Sequence, residues 1–107
     1  METDGRSAIV LKPKQPYADW AASLREPGEA PVQLDWLRSE VTVHLVEEIV
    51  GPDHFLEILE FEYEDMFREQ LNGWSRDDSQ WPKITGLEMF LDWFEVERGS
   101  MVFDLTI

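Results

Sequence analysis

The chain contains no cysteine. That absence excludes disulfides, thiolate nucleophiles and thiolate metal sites, and it is the usage expected of a reducing cytoplasm. Long apolar runs are missing too: none approaches the roughly 18 residues that a membrane-spanning helix requires. The start, Met1-Glu2-Thr3-Asp4-Gly5-Arg6, lacks the basic flank and apolar stretch of a secretory signal. Glycine is scarce, and none of the six lies in a phosphate-cradling loop. No serine sits in a Gly-x-Ser-x-Gly elbow. The two histidines, His44 and His54, do not form a His-x-x-x-His pair, and no Asp-x-Asp-x-Asp-Gly calcium loop occurs. Asp77-Asp78-Ser79-Gln80 offers oxygen ligands but no geometry-setting glycine. No metal and no cofactor is therefore expected.

Basic residues are the other shortage. Nine Lys/Arg face 23 Asp/Glu, for a formal net charge of -14. The imbalance is local: residues 1–38 carry five bases and six acids, net -1, whereas residues 40–69 carry ten acids and one base, Arg68, net -9. Such a field repels nucleic acid and anionic membrane and attracts basic surfaces. What is abundant is core material. Leu, Ile, Val and Phe supply 30 of the 107 residues and five Trp add large apolar area, enough for one folded domain despite the charge. The domain is expected over residues 7–107, with residues 1–6 a disordered N-terminus.

Along the chain, Ala8-Ile9-Val10-Leu11, stopped by Lys12-Pro13, reads as a first strand. Pro16 suits a helix start, and Tyr17, Trp20, Ala21 and Leu24 recur at helical spacing, which predicts a helix over 16–24. Residues 27–31 form a loop. A helical turn over 33–39 places Leu34 and Leu37 inward. Residues 41–46 alternate, with Val41, Val43 and Leu45 on one face and Thr42, His44 and Val46 on the other. Gly51-Pro52 opens a long helix, on which Phe55, Leu56, Leu59, Tyr63, Met66, Phe67, Leu71 and Trp74 share a broad face. Asn72-Gly73 stops it. Thr85-Gly86-Leu87-Glu88 matches a capping box, with Ile84 and Met89 as its staple, and starts a helix that ends near Phe94. Met101 to Leu105 alternates as a last strand. The order strand, helix, strand, helix, helix, strand predicts an α+β domain: a small sheet of about three strands with helices packed on one face.

Among candidate sites, the long helix comes first. Glu57, Glu60 and Glu64 line one edge, Asp65 and Glu69 pair at i, i+4, and Glu62 lies beyond the other edge of the apolar face. Like charges at that spacing repel, and Arg68, four after Glu64, is the single local relief. Phe61 projects from the polar side with Ile58 one turn before it. An exposed Ile58–Phe61 pair rimmed by Glu57, Glu62, Glu64 and Asp65 has the anatomy of an interaction patch; the competing expectation is that Trp81 or the 75–84 loop covers it. Trp74, Trp81 and Trp93 are interleaved with Asp and Glu rather than Lys and Arg, which argues against base stacking.

The aromatic pattern of Trp74, Trp81-Pro82, Phe90, Trp93-Phe94 and Met101-Val102-Phe103-Asp104 resembles that of a group of short, conserved, uncharacterised bacterial proteins. The likeness covers most of residues 8–105. It implies a bacterial cytoplasmic domain and no activity. Two functions stay open. The first is a non-catalytic acidic module, inhibitor- or immunity-like, for a basic protein partner; it leaves self-association open. The second is a small enzyme or ligand-binding protein with a Trp-lined pocket near His44 or residues 74–81. An exposed Phe61 patch favours the first, and an organised pocket with a perturbed histidine or carboxylate the second.

Overall fold

The structure is a computed structural model that describes residues 2–3, 6–39, 41–99 and 103–104. Its centre is β2 (Arg6–Pro13), whose alternation buries Ser7, Ile9, Leu11 and Pro13 on one face. On one side β2 pairs antiparallel with β3 (Thr42–Glu47), setting Ile9 opposite His44 and Val10 opposite Val43. On the other it pairs antiparallel with β4 (Phe94–Gly99), setting Leu11 opposite Val96. The sheet order is β3-β2-β4, so both partners are edge strands. A separate two-residue ladder joins β1 (Glu2–Thr3) to β5 (Phe103–Asp104). Strand therefore occurs within the segment expected to be a disordered N-terminus. Of the expected last strand, Met101, Val102 and Leu105 lie outside the described residues.

Four α-helices occur among the described residues: α1 (Gln15–Ser23), α2 (Leu34–Ser39), α3 (Pro52–Asn72) and α4 (Leu87–Trp93). They cover one face of the sheet, as an α+β domain requires. The core collects Ile9 and Leu11 of β2, Tyr17 and Ala18 of α1, Leu37 of α2, Ile58, Leu59, Met66, Phe67 and Leu71 of α3, and Phe90 and Phe94. Phe67, Phe90 and Phe94 are fully buried, and their rings lie 5.3–5.7 Å apart in tilted and edge-on contacts. Truncating any of them to Ala would cost about 3–5 kcal/mol. Lys14 ties β2 to the end of α4: its backbone N–H donates to Trp93 O at 2.8 Å and its ammonium to Leu91 O at 2.8 Å. Cations suit helix C-termini, where carbonyls lack intrahelical donors. Gly28, at φ +95°, makes the left-handed turn between α1 and α2 that a side chain would oppose.

Three local expectations are corrected. Thr85 does not cap α4: the helix starts after Gly86, no side chain caps it, and the Thr85 hydroxyl lies 3.6 Å from Met89 Sδ. The strand that completes the sheet is Phe94–Gly99, directly after α4. Leu56 is 48% exposed rather than part of the buried face of α3, because the aromatic contact with α4 begins two turns later, at Tyr63 and Phe90.

Candidate functional site

The helix that carries the acids is fixed by its apolar face. Ile58, Leu59, Met66, Phe67 and Leu71 are buried, which turns Glu57, Glu60, Glu64, Asp65 and Glu69 to solvent, with Glu62 half-buried. The expected relief exists: Arg68 reaches Glu64 at 3.4 Å across one helical turn. Phe61 stands among these carboxylates and is 83% exposed. Ile58 does not stand exposed beside it. It is 5% exposed and belongs to the core cluster that also holds Ile49, the residue that follows β3 by two. Its burial is local to the start of α3: Asp65 and Glu69, farther along the same side of the helix, are exposed, and Glu62 is half-buried.

Buried Ile58 nonetheless contributes to the floor of a groove. Glu47, His54, Glu57, Ile58, Phe61 and Glu62 line a cleft of about 300 Å³ between the end of β3 and the first turns of α3. Its wall is braced by His54. The Val50 N–H donates to His54 Nδ1 at 3.0 Å, which places the proton of the neutral ring on Nε2, 3.3 Å from Glu47 Oε2. The cleft thus joins an aromatic ring to four acidic or imidazole groups. The 75–84 loop, the expected alternative cover for Phe61, is occupied elsewhere. Trp81, Pro82 and Ile84 form a second cleft with Glu64, Arg68 and Asp78. The Trp81 indole donates to Ser75 O at 2.8 Å, and the Trp20 indole to Gln80 O at 3.0 Å, which fastens the loop to α1. Within the loop, two hydrogen bonds from Ser79 hold the Asp77 carboxyl below the usual carboxylate range.

His44 faces the helices from β3. Its side chain is 14% exposed, its Nδ1 lies 3.7 Å from Glu69 Oε2, and its buried Nε2 has no hydrogen-bond partner among the described residues. A Trp-lined pocket does occur, away from His44. Pro13, Tyr17, Trp36, Leu37, Gln70, Gly73 and Trp74 enclose about 350 Å³. The Tyr17 hydroxyl donates to Gln70 O at 2.8 Å, and burial pushes its pKa well up, so it is a fastener rather than an acid–base group. The Arg25 guanidinium sits 5.3 Å from the Trp74 ring centroid. Trp36, 53% exposed, was not singled out by the sequence pattern, because a single aromatic in a six-residue helix has no periodic signature.

Among the described residues no group of three His, Asp or Glu is placed to hold a metal ion, and no helix is long and apolar enough to cross a membrane. No family model, curated protein or solved structure matches the chain.

Proposed function

We propose that this chain is a non-catalytic acidic module that binds a basic protein partner, as an inhibitor or immunity protein binds its target. One observation carries the reading: Phe61, 83% exposed, stands at a cleft whose other walls include Glu47, Glu57 and Glu62. Leaving a large aromatic in water forgoes about 2 kcal/mol of burial. A partner that covers Phe61 recovers that term, and basic side chains beside it relieve the repulsion along α3. The net charge of -14 steers such a partner and turns nucleic acid away. A bacterial cytoplasmic setting belongs to the same reading and is supported by the resemblance of the aromatic pattern and by the cysteine usage.

The test is Phe61→Ser, read by pull-down from the source cell at low and high salt and by a denaturant melt. The expected result is loss of a salt-sensitive basic partner with stability within about 0.5 kcal/mol of wild type, as for other exposed positions. Retention of the partner, or a loss of several kcal/mol in stability, would sink the reading. The Tyr17–Trp36–Trp74 pocket supports a second reading, a small-ligand binder. Saturable quenching of tryptophan fluorescence by an aromatic or cationic ligand, abolished by Trp36→Ala, would favour it.

A further inference from the structure

Among the described residues β3 pairs with β2 alone, and this open edge and the outer face of the sheet are unlike the rest of the surface. Edge strands expose a row of unpaired backbone N–H and C=O groups, and proteins usually blunt them with charge, proline or bulges. The β4 edge is blunted in this way. Its outward Glu95 and Glu97 are tied to Arg38 and Lys12, and Arg38 holds the Glu95 carboxyl below the usual range. The β3 edge carries outward charge at its end alone, at Glu47. Thr42–Glu47 contains no lysine and no proline, and it pairs with β2 in unbroken register. Its outward side chains are apolar at Val43, 53% exposed, and Leu45, 49% exposed, continued by Val41 at 41%, with exposed Glu47 as the charged end of the row.

The charge beside this edge identifies what fits it. Glu69 lies under His44, and Glu62 shares the cleft with Glu47 at the far end of the strand. Glu62, Asp65 and Glu69 follow i, i+3, i+7 spacing, so one acidic stripe about 10 Å long runs beside β3. From these contacts we infer that the basic partner presents an extended segment that adds to β3 as a fourth strand. Its apolar side chains meet Val43 and Leu45, and the alternate, basic ones meet the α3 stripe. Alternate strand positions repeat at about 6.7 Å, so two or three cations span the stripe. A second copy of this chain fits less well, because antiparallel β3–β3 pairing would bring two acidic stripes together. The inference rests on the proposed function and names the part of the partner that engages.

The probe is a short capped peptide of alternating lysine and valine, titrated into the labelled full chain by NMR. The expected result is saturable shifts at the Thr42–Glu47 amides. Affinity should fall about tenfold when the peptide nitrogens on the pairing side are methylated, which removes backbone donors. A similar fall is expected for Val43→Asp, whose fold is checked by its denaturant midpoint, and a glutamate–valine peptide should not bind. Absence of saturable shifts, shifts confined to other surfaces, or indifference to methylation would overturn strand addition. So would concentration-dependent protection of the β3 amides without peptide, which would point to a second copy. The two proposals fail separately. Methylation sensitivity with a cellular partner retained by Phe61→Ser removes the Phe61 reading alone, whereas Phe61-dependent capture with methylation indifference removes strand addition alone.

Discussion

Phe61 and Ile58 lie three residues apart on the same helix, and their fates show what a residue's neighbourhood decides. The polar surroundings of Phe61 at Glu57, Glu60, Glu62 and Glu64 were legible from the sequence, and it is exposed. Ile58 shares those neighbours in the chain, yet it belongs to the same buried core as Ile49, a long-range packing that sequence periodicity does not register. Tyr17 makes the same point from inside the core. Its ring was readable as an inward helix residue; its hydroxyl partner, Gln70 O, lies 53 residues away and was not. That hydroxyl yields a pH prediction. The folded-state pKa is raised, first by burial, so the protonated phenol is the form the fold holds. Its contribution to stability is fully present below the unfolded value, about pH 10, and is lost as pH rises through the folded value. Tyr17→Phe should lose about 1 kcal/mol at neutral pH by leaving the Gln70 carbonyl without this donor. It should also flatten the alkaline limb of the stability profile, which denaturant melts from neutral to strongly alkaline pH would measure. An unchanged alkaline limb would mean that another group governs it.

At the scale of elements, the helices and the first two sheet strands follow the sequence pattern, and the errors fall where one tertiary contact overrides a local rule. Thr85-Gly86-Leu87-Glu88 has the composition of a capping box, but the chain enters α4 at Gly86 with no side-chain cap, and the Thr85 hydroxyl points to Met89 instead. Thr85→Ala should therefore change stability by less than about 0.5 kcal/mol, against the ~1 kcal/mol typical of a lost cap. A loss near the larger figure in a denaturant melt would mean that Thr85 caps the helix in solution. The strand β4 escaped notice because its outward residues, Glu95 and Glu97, are charged, and because Phe94 also completes the helical pattern of α4. For β3 the alternation was plain, but its more apolar side is turned outward. Ile9 is fully buried and pairs with His44, so the register with β2 draws Thr42, His44 and Val46 inward and leaves Val43 and Leu45 outside. Which face is buried is a property of the neighbouring strand, and only pairing reveals it.

Over the whole molecule the dominant fact is the separation of charge, which the sequence displays in full. What it could not display is how the fold distributes the few bases. Among the described residues Lys12, Arg38 and Arg25 pair with Glu97, Glu95 and Glu29, and Arg68 is the Lys/Arg paired with an α3 carboxylate, Glu64. The repulsion along α3 is thus largely uncompensated in the folded state. In the unfolded chain the same charges lie farther apart, so their repulsion opposes folding. Surface ion pairs elsewhere contribute little in return, typically 0–1 kcal/mol each, and salt weakens them as well. The sign of the net salt effect follows from which population is larger, and repelling neighbours outnumber attracting ones over residues 40–69, with ten acids and one base. Screening shortens the reach of charge to about 10 Å at 0.1 M salt and about 3 Å at 1 M, so most of the relief should come within the first few tenths molar. The melting temperature should accordingly rise with sodium chloride at neutral pH and level off below 1 M. It should rise less in the variant Glu60→Lys, which places a cation within one turn of both Glu57 and Glu64 and keeps the Glu64–Arg68 pair. A wild-type melting temperature that is flat or falls with salt, measured by circular dichroism, would mean that local ion pairs outweigh the acidic field and would remove the electrostatic reason for α3 to seek a basic partner.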